Sequence, residues 1–327
     1  MILVTGGAGF IGSNIVADLT ATTNSPIAVA DSVNDDHRRA NIAKHNVAEI
    51  VEPDQIVSWL KGRGDLEAII HMGAVSSTTE TDVDLILRSN VWLSLFLWDW
   101  CADHDVPLIY ASSAQVYGDG EQGFVDDEST GALERLRAIT PYGASKLLFD
   151  QLVMREVGMG RKTPPQWAGL RFFNVYGPNE YHKGDQRSVI VKAYPDLAAG
   201  GPMRLFKSYR DDYPDGGQTR DFIHVADCVD VVAWLLKHSD VSGLFNVGTG
   251  QARTWLDLAH AMFAAIGHEP RIEFIEMPDI LRGCYQYATE ADMTKLRDAG
   301  YTKPFTSLEE GVGDYVKNYL AADGAYR

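Results

Sequence analysis

Tyr142 and Lys146, four apart in "PYGASK", could move a proton. On a helix, positions with this spacing share a face. An ammonium beside a phenol favours the phenolate, and an oxidised nicotinamide would add to that effect. The resulting base can take a proton from an alcohol while hydride leaves the carbon, and return it in the reverse step. A Tyr and a Lys at this spacing occur by chance in many helices, so the pair gains meaning only from its company. Ser113 in "YASSAQVYG" is set to end a neighbouring strand and to hold a substrate oxygen.

The glycines Gly6, Gly9 and Gly12 of "VTGGAGFIG" stand between a strand pattern and a helix pattern. In that context the spacing reads as a phosphate cradle. Gly6 and Gly9 let the backbone turn and approach a pyrophosphate, Gly12 lets helix and strand pack closely, and the helix N-terminus offers free N–H groups. Asp31 ends the second strand at roughly the twenty-residue separation expected of an acid that bonds the adenosine ribose. Taken alone it favours NAD. Arg38 and Arg39 just beyond could clasp a 2′-phosphate, and on them the expected cofactor is NADP, with NAD as the alternative.

The stretch "NVYGPNEYHKGD" follows the strand-like "WAGLRFF" and presents His182 and Lys183 in a turn. Lys183 reads either as a surface or phosphate-binding charge, or as a second acid/base. The choice separates a simple dehydrogenase from an epimerase. Further cations, Arg187, Lys192, Lys207, Arg210, Arg220 and Arg282, could gather around a diphosphate. Arg220, inside "TRDFIHV", is the favoured ligand among them. His71 in "IIHMGA" reads as structural, and the other histidines show no metal-ligand spacing.

These residues need a frame to hold them. "MILVTG", "SPIAVADS", "LEAIIHMGA", "VPLIYASS", "WAGLRFFNVYG" and "SGLFNVGTG" read as strands, most of them continuous apolar runs of the kind buried on both faces of a parallel sheet. Helical patterns lie between them. "IGSNIVADLTATT" puts Ile11, Ile15, Val16 and Leu19 on one face. "TPYGASKLLFDQLVMREV" opens with Thr140 as N-cap and Pro141 at the first helical position. "KGDQRSVIVKAYPDLAAG" reads as a helix, "TWLDLAHAMFAAIG" as an amphipathic helix ending at glycine, and "SYRDDYPDGGQTRD" as a polar loop. The expected fold is α/β: a doubly wound parallel (Rossmann) sheet with a smaller, mostly C-terminal α/β substrate-binding domain. Residues 1–175 form the dinucleotide domain, about 215–250 return to it, and 176–327 are mainly the cap.

The totals narrow the function. The chain has 327 residues, enough for one large α/β unit or two domains. Its 29 Lys and Arg against 45 Asp and Glu give a net charge of −16, which argues against binding nucleic acid through a general basic surface. No apolar run approaches the eighteen or so residues of a membrane span. Met1 leads straight into a strand, so neither a leader nor a membrane anchor is expected. Cys101, Cys228 and Cys284 form no pair motif and read as idle thiols of a reducing cytoplasm.

With these motifs assembled, "TGGAGFIG", "YASSAQVYG", "PYGASK", "RFFNVYGP" and "RDFIHVAD" together resemble the extended short-chain dehydrogenase/reductase family, most of whose members act on nucleotide-sugars. The resemblance runs over nearly the whole chain. "GAVSSTTE", "NVYGPNEYHKG", "LFNVGTGQAR" and "LRGCYQYATEADMTKLRDAGYTKPF" are similar, more narrowly, to the ADP-heptose 6-epimerase branch, whose members make the heptose of the lipopolysaccharide inner core. The resemblance implies an NADP-type epimerase with an ADP-heptose substrate, working as a homo-oligomer, with Tyr142 and Lys183 as its two acid/base groups. It implies cofactor contacts at Phe10, Ile11, Asp31, Ser32, Arg38, Met72, Gly73, Ala74, Val75, Ser76, Asn90 and Lys146. It implies substrate contacts near Asn174, Asp185, Lys192, Phe206, Lys207, Ser208, Tyr209, Arg220 and Tyr285. The chain departs from the family pattern in having Asp185 and Lys192 where a serine and a histidine stand, in lacking a lysine near residue 53, and in its longer 208–221 loop.

Chemistry gives a second acid/base a reason. A carbon bearing hydroxyl and hydrogen has no acidic C–H, so inversion by proton abstraction is closed to it. Hydride removal followed by return to the other carbonyl face inverts the centre. The oxygen then lies in two places in the two half-reactions, and an acid/base at each is useful. A lysine suits this work if burial lowers its pKa. Competing readings are a UDP-hexose 4-epimerase, an NADPH-dependent nucleotide-sugar reductase, and a non-catalytic dinucleotide sensor. A 4,6-dehydratase fits poorly, because Ala114 and Gln115 stand where such enzymes place Asp-Glu.

Overall fold

A computed structural model describes residues 1–282, 285–322 and 326–327; Cys284 lies outside them. The strands are β1 (Ile2–Thr5), β2 (Ile27–Ala30), β3 (Glu49–Val51), β4 (Ala68–His71), β5 (Leu108–Ser113), β6 (Trp167–Phe172), β7 (Asn174–Tyr176), β8 (Met203–Phe206), β9 (Thr219–His224), β10 (Gly243–Val247), β11 (Ala252–Thr254) and β12 (Ile272–Ile275). The helices are α1 (Phe10–Thr22), α2 (Asp36–Ile42), α3 (Ile56–Leu60), α4 (Val83–Ile86), α5 (Leu93–His104), α6 (Thr130–Arg135), α7 (Pro141–Gly158), α8 (Val189–Ala198), α9 (Val225–Lys237), α10 (Trp255–Ile266), α11 (Asp279–Arg282), α12 (Thr294–Asp298) and α13 (Leu308–Tyr315).

Seven strands form one parallel sheet in the order β10-β6-β5-β4-β1-β2-β3. The chain thus runs outward from β1 in both directions, and the crevice beyond the carboxyl ends of β1 and β4 is where such sheets bind ligands. The apolar runs are central because helices cover both faces: β1, β2, β4 and β6 are buried at every residue. No helix among the described residues is long and apolar enough to cross a membrane.

A three-stranded sheet (β11-β9-β7) and a two-stranded one (β12-β8) build the second part with α8, α10 and α13. Its separate core includes Ile190, Leu197, Met203, Leu258, Met262, Phe263, Val312 and Tyr315. β10 lies at the edge of the main sheet beside β6, and α9 packs on α1.

Two segments differ from their sequence reading. "WAGLRFFNVYG" is not one strand. Phe173 donates its N–H to Val247 at 3.0 Å, the chain turns, and β7 leaves the main sheet to pair with β9. "KGDQRSVIVKAYPDLAAG" is not one helix either. A short turn over Tyr181–Gln186 contains Gly184 at φ 54°, and α8 starts afresh behind Ser188, whose hydroxyl accepts from the Val191 N–H. At α7 the sequence reading holds: Thr140 accepts from the Gly143 N–H at 3.0 Å, with Pro141 in the first turn.

Helix α7 is tied to the sheet by a buried ion pair. Asp150 meets Arg171 of β6 at 3.0 Å with both side chains wholly buried. Ser112 donates to the same carboxylate at 3.0 Å, and Arg171 donates to Tyr117 at 2.9 Å. Breaking such a pair leaves one charge stranded in low dielectric. Arg171→Leu is therefore expected to destabilise the protein by about 3–5 kcal/mol, read as a lower denaturation midpoint with the slope unchanged.

Candidate active site

The cradle is built by backbone lying on backbone. Gly6 sits at φ 65°, and a Cβ there would meet Gly73 Cα at 2.7 Å. A Cβ on Gly12 would come within 2.1 Å of the Gly6 carbonyl oxygen. Only glycine allows α1 to start this close to β1, with its free N–H groups at the sheet edge. Asp31, just past β2, accepts from the Ala8 N–H at 3.0 Å and the Ser32 N–H at 2.8 Å, and pairs with Arg38 at 2.8 Å. Burial pushes the Asp31 carboxyl above its ordinary range, and Arg38 opposes that shift. Arg39 instead pairs with exposed Asp36. Ile11 is partly buried and packs against the main core.

The segment Met72–Ser76 leaves β4 alongside this turn. Asn90 holds it, accepting from the Val75 N–H at 2.8 Å and donating to the Val75 carbonyl at 3.0 Å. The same amide donates to Ser145 of α7 at 3.0 Å, so one side chain ties this loop to the helix bearing Lys146. Asn90 lies in a π-helical stretch, Leu87–Trp92, a local widening common at functional sites. Below it, buried His71 lies 2.6 Å from Thr5 and 2.9 Å from Ser94, and burial drives its pKa down to about 3.

Ser113 ends β5 and bonds the Tyr142 hydroxyl at the start of α7. Burial raises the Tyr142 pKa, with Ser113 opposing. This corrects the expectation that Lys146 lowers it: the lysine's charge is felt by Asp150 and His71 instead. Lys146 is itself buried, and desolvation lowers its pKa to about 8. A buried, desolvated lysine on the helix tied to the Met72–Ser76 loop fits the hydroxyls of a dinucleotide ribose.

Lys183 meets the start of α1. Its ammonium lies 5.3 Å from the centre of the Phe10 ring, the first residue of α1. Burial lowers its pKa, and Glu180 opposes that. Glu180 is almost wholly buried and accepts from the hydroxyl of Ser188 at 2.6 Å. His182, beside it, is pushed down to about 4 by burial and by Arg38.

The second part contributes an aromatic-lined cation. Buried Arg220 lies 5.1 Å from the Tyr285 ring and 5.7 Å from the Trp255 ring, and Phe206 meets Tyr285 at 6.3 Å. Arg220 donates to the Thr219 carbonyl at 2.8 Å, and such a setting holds a planar guanidinium while its remaining donors suit an anion. Asn174 is exposed and accepts from Thr289 at 3.3 Å. Ser208 and Tyr209 open the long loop: Ser208 donates to Asp215 and Tyr209 to Glu276. Lys207 pairs with Glu276 at 2.6 Å on the surface, and Arg210 with Asp212. Lys192 donates to the backbone carbonyl of exposed Asp185 at 3.2 Å, so the two family departures sit together.

Sequence reading missed Glu180 and Asn179, both buried beside Lys183. Their signal was present within "GPNEYHKG", yet no spacing rule assigns a role to residues between a strand and a turn.

The arrangement has relatives. Residues 2–248 match the NAD dependent epimerase/dehydratase family. An ADP-L-glycero-D-manno-heptose-6-epimerase of Nitratidesulfovibrio vulgaris (strain DP4) is 50% identical over 98% of both chains. One of Fusobacterium nucleatum subsp. nucleatum is 43% identical over 100% of both. The crystal structure of the Helicobacter pylori ADP-L-glycero-D-manno-heptose-6-epimerase superposes with a TM-score of 0.79 at 26% identity, covering 97% of this chain and 95% of that one.

Lys146 generates a prediction. It holds its proton less tightly folded, near 8, than at its ordinary 10.5. Between those values the unfolded chain binds more protons, so stability rises with pH, and below about 8 the full penalty is present. Lys146→Met is expected to stabilise the ligand-free protein by about 3 kcal/mol at neutral pH, with the gain shrinking as pH approaches 10.5. Thermal unfolding at neutral and alkaline pH checks this.

Proposed function

The chain belongs to the NAD dependent epimerase/dehydratase family and, within it, to the ADP-L-glycero-D-manno-heptose-6-epimerases, and from that premise we propose that it interconverts ADP-D-glycero- and ADP-L-glycero-D-manno-heptose by inverting C6. Two acid/base candidates support this reading, Tyr142 with Ser113 at the end of β5 and Lys183 over Phe10 at the start of α1.

Held in the cradle, a nicotinamide dinucleotide supplies reversible hydride acceptance. The residues do the rest. Gly6, Gly9 and the N-terminus of α1 receive the pyrophosphate, Asp31 and Ser32 face the adenosine ribose, and Lys146 holds the nicotinamide ribose. Ser113 fixes the C6 oxygen of the sugar. Tyr142 takes or returns the hydroxyl proton in one half-reaction, and Lys183 does so in the other. Burial supports the lysine's part, because it lowers the pKa of the amine and so eases loss of its proton. Arg220, between Tyr285 and Trp255, meets the ADP end, with Asn174 and the 206–209 strand end beside it.

The cofactor reading is NADP. Arg38 supports it: one guanidinium nitrogen neutralises Asp31 while the side chain stays 36% exposed, able to meet a 2′-phosphate. A homo-oligomer in the cytoplasm completes the reading, supported by the sequence resemblance.

Incubation with ADP-D-glycero-D-manno-heptose is expected to give the C6 epimer without added cofactor, and acid release is expected to yield NADP in stoichiometric amount. No inversion at C6 would defeat the substrate assignment, and released NAD would correct the cofactor. Tyr142→Phe is expected to keep its dinucleotide and lose turnover by about 100-fold or more.

A further inference from the structure

Lys183 rides on a turn whose geometry is unusually well pinned. Asn179, four residues before it, is a buried non-glycine residue at φ 75°, a left-handed conformation that costs energy unless something holds it. Its side-chain amide, its side-chain oxygen and its backbone carbonyl each have a partner on a distant element. Its side-chain amide donates to Ser13 of α1 at 2.9 Å. Its backbone carbonyl accepts from Asn41 of α2 at 3.1 Å. Its side-chain oxygen accepts the backbone N–H of Arg327 at 3.0 Å. The carbonyl before it, Pro178, accepts from Asn14 of α1 at 3.0 Å.

The far end of the sequence is fastened over this turn. Tyr326 lies 2.6 Å from His37 through its hydroxyl, and its ring meets Tyr181 edge-on at 5.2 Å. Lys44 donates to the Tyr326 carbonyl at 2.7 Å, and the Arg327 carbonyl lies 3.1 Å from His45. Arg327 also donates to Asn14 at 3.4 Å. Asn14 and Ser13 belong to the first turns of the helix whose first residue, Phe10, lies under the Lys183 ammonium.

We propose that Asn179, held by Arg327 while Tyr326 packs on Tyr181 of the same turn, is a positioning residue that sets Lys183 over the start of α1. None of the three touches a reacting atom in this scheme. They act through the turn, by preventing the 179–183 backbone from relaxing out of its left-handed start and carrying the lysine away from Phe10. The inference rests on the proposed acid/base role of Lys183.

Asn179→Gly is the informative variant, because glycine accepts φ 75° without strain and only the side-chain links are lost. Tyr326→Ala loosens the clasp from the outside and leaves the buried turn intact in composition. Both are compared with wild type and Lys183→Met in the holoenzyme. The expected result is a kcat lowered about 10- to 100-fold, a KM for the ADP-sugar within about twofold, retained dinucleotide, and faster amide exchange at residues 179–183 than in wild type. Wild-type kcat with unchanged exchange in both variants overturns the proposal. A lower kcat accompanied by a raised KM and lost dinucleotide also overturns it, since that pattern marks general loosening. Full turnover in Lys183→Met would instead sink the acid/base reading, and amide exchange would then decide the clasp by itself.

Discussion

The structure depends on how closely α1 can begin beside β1. A side chain at Gly12 would collide with the Gly6 carbonyl, and one at Gly6 would collide with Gly73. Absence of those carbons seats the helix N-terminus at the carboxyl edge of the sheet, where its unpaired N–H groups suit a phosphate. The same helix presents Phe10 beneath Lys183, and Ser13 and Asn14 to the 178–179 turn. One backbone contact thus orders both the cofactor cradle and the second acid/base candidate. A displaced helix would disturb both together.

The protein also draws cations out of water that a strongly acidic chain would be expected to keep there. Lys146, Lys183 and Arg220 all have their pKa lowered by desolvation. For Arg220 the shift leaves a guanidinium fully charged and short of solvent, suited to an anionic ligand. For the lysines it moves the amine toward the range where protons are exchanged. Asp150 and Glu180 limit the shift at Lys146 and Lys183 respectively. Each carboxylate is anchored by other partners, Arg171 and Ser188, so it tunes its lysine without quenching it in a short ion pair.

The two parts of the molecule meet through chain that crosses between them. β6 belongs to the main sheet and β7, two residues later, to the second. The bend at Phe173 delivers the Lys183 turn to α1 and sends α8 outward to the second core. The candidate site therefore draws on groups from β1, β4, β5 and α7 and on groups that follow β7.

Much of this was legible from residue order. Buried parallel strands must be apolar throughout, so β1, β2, β4, β5, β6 and β10 showed as apolar runs. Glycine spacing marked the cradle, and Thr140-Pro141 marked the start of α7, because these are local steric and hydrogen-bonding requirements. What stayed hidden depends on contacts between distant segments. The break of one apolar run into β6 and β7 comes from pairing with β10 and β9, which no local period reports. The upward shift at Tyr142, against the lowering its neighbour Lys146 suggested, comes from burial. The partners of Asn179 lie on α1, on α2 and at the far end of the sequence. The amino-acid order by itself determined the elements and the chemical types on offer; only the tertiary structure decided which charges lose water and which side chains face one another, since desolvation and through-space contact belong to the packed chain.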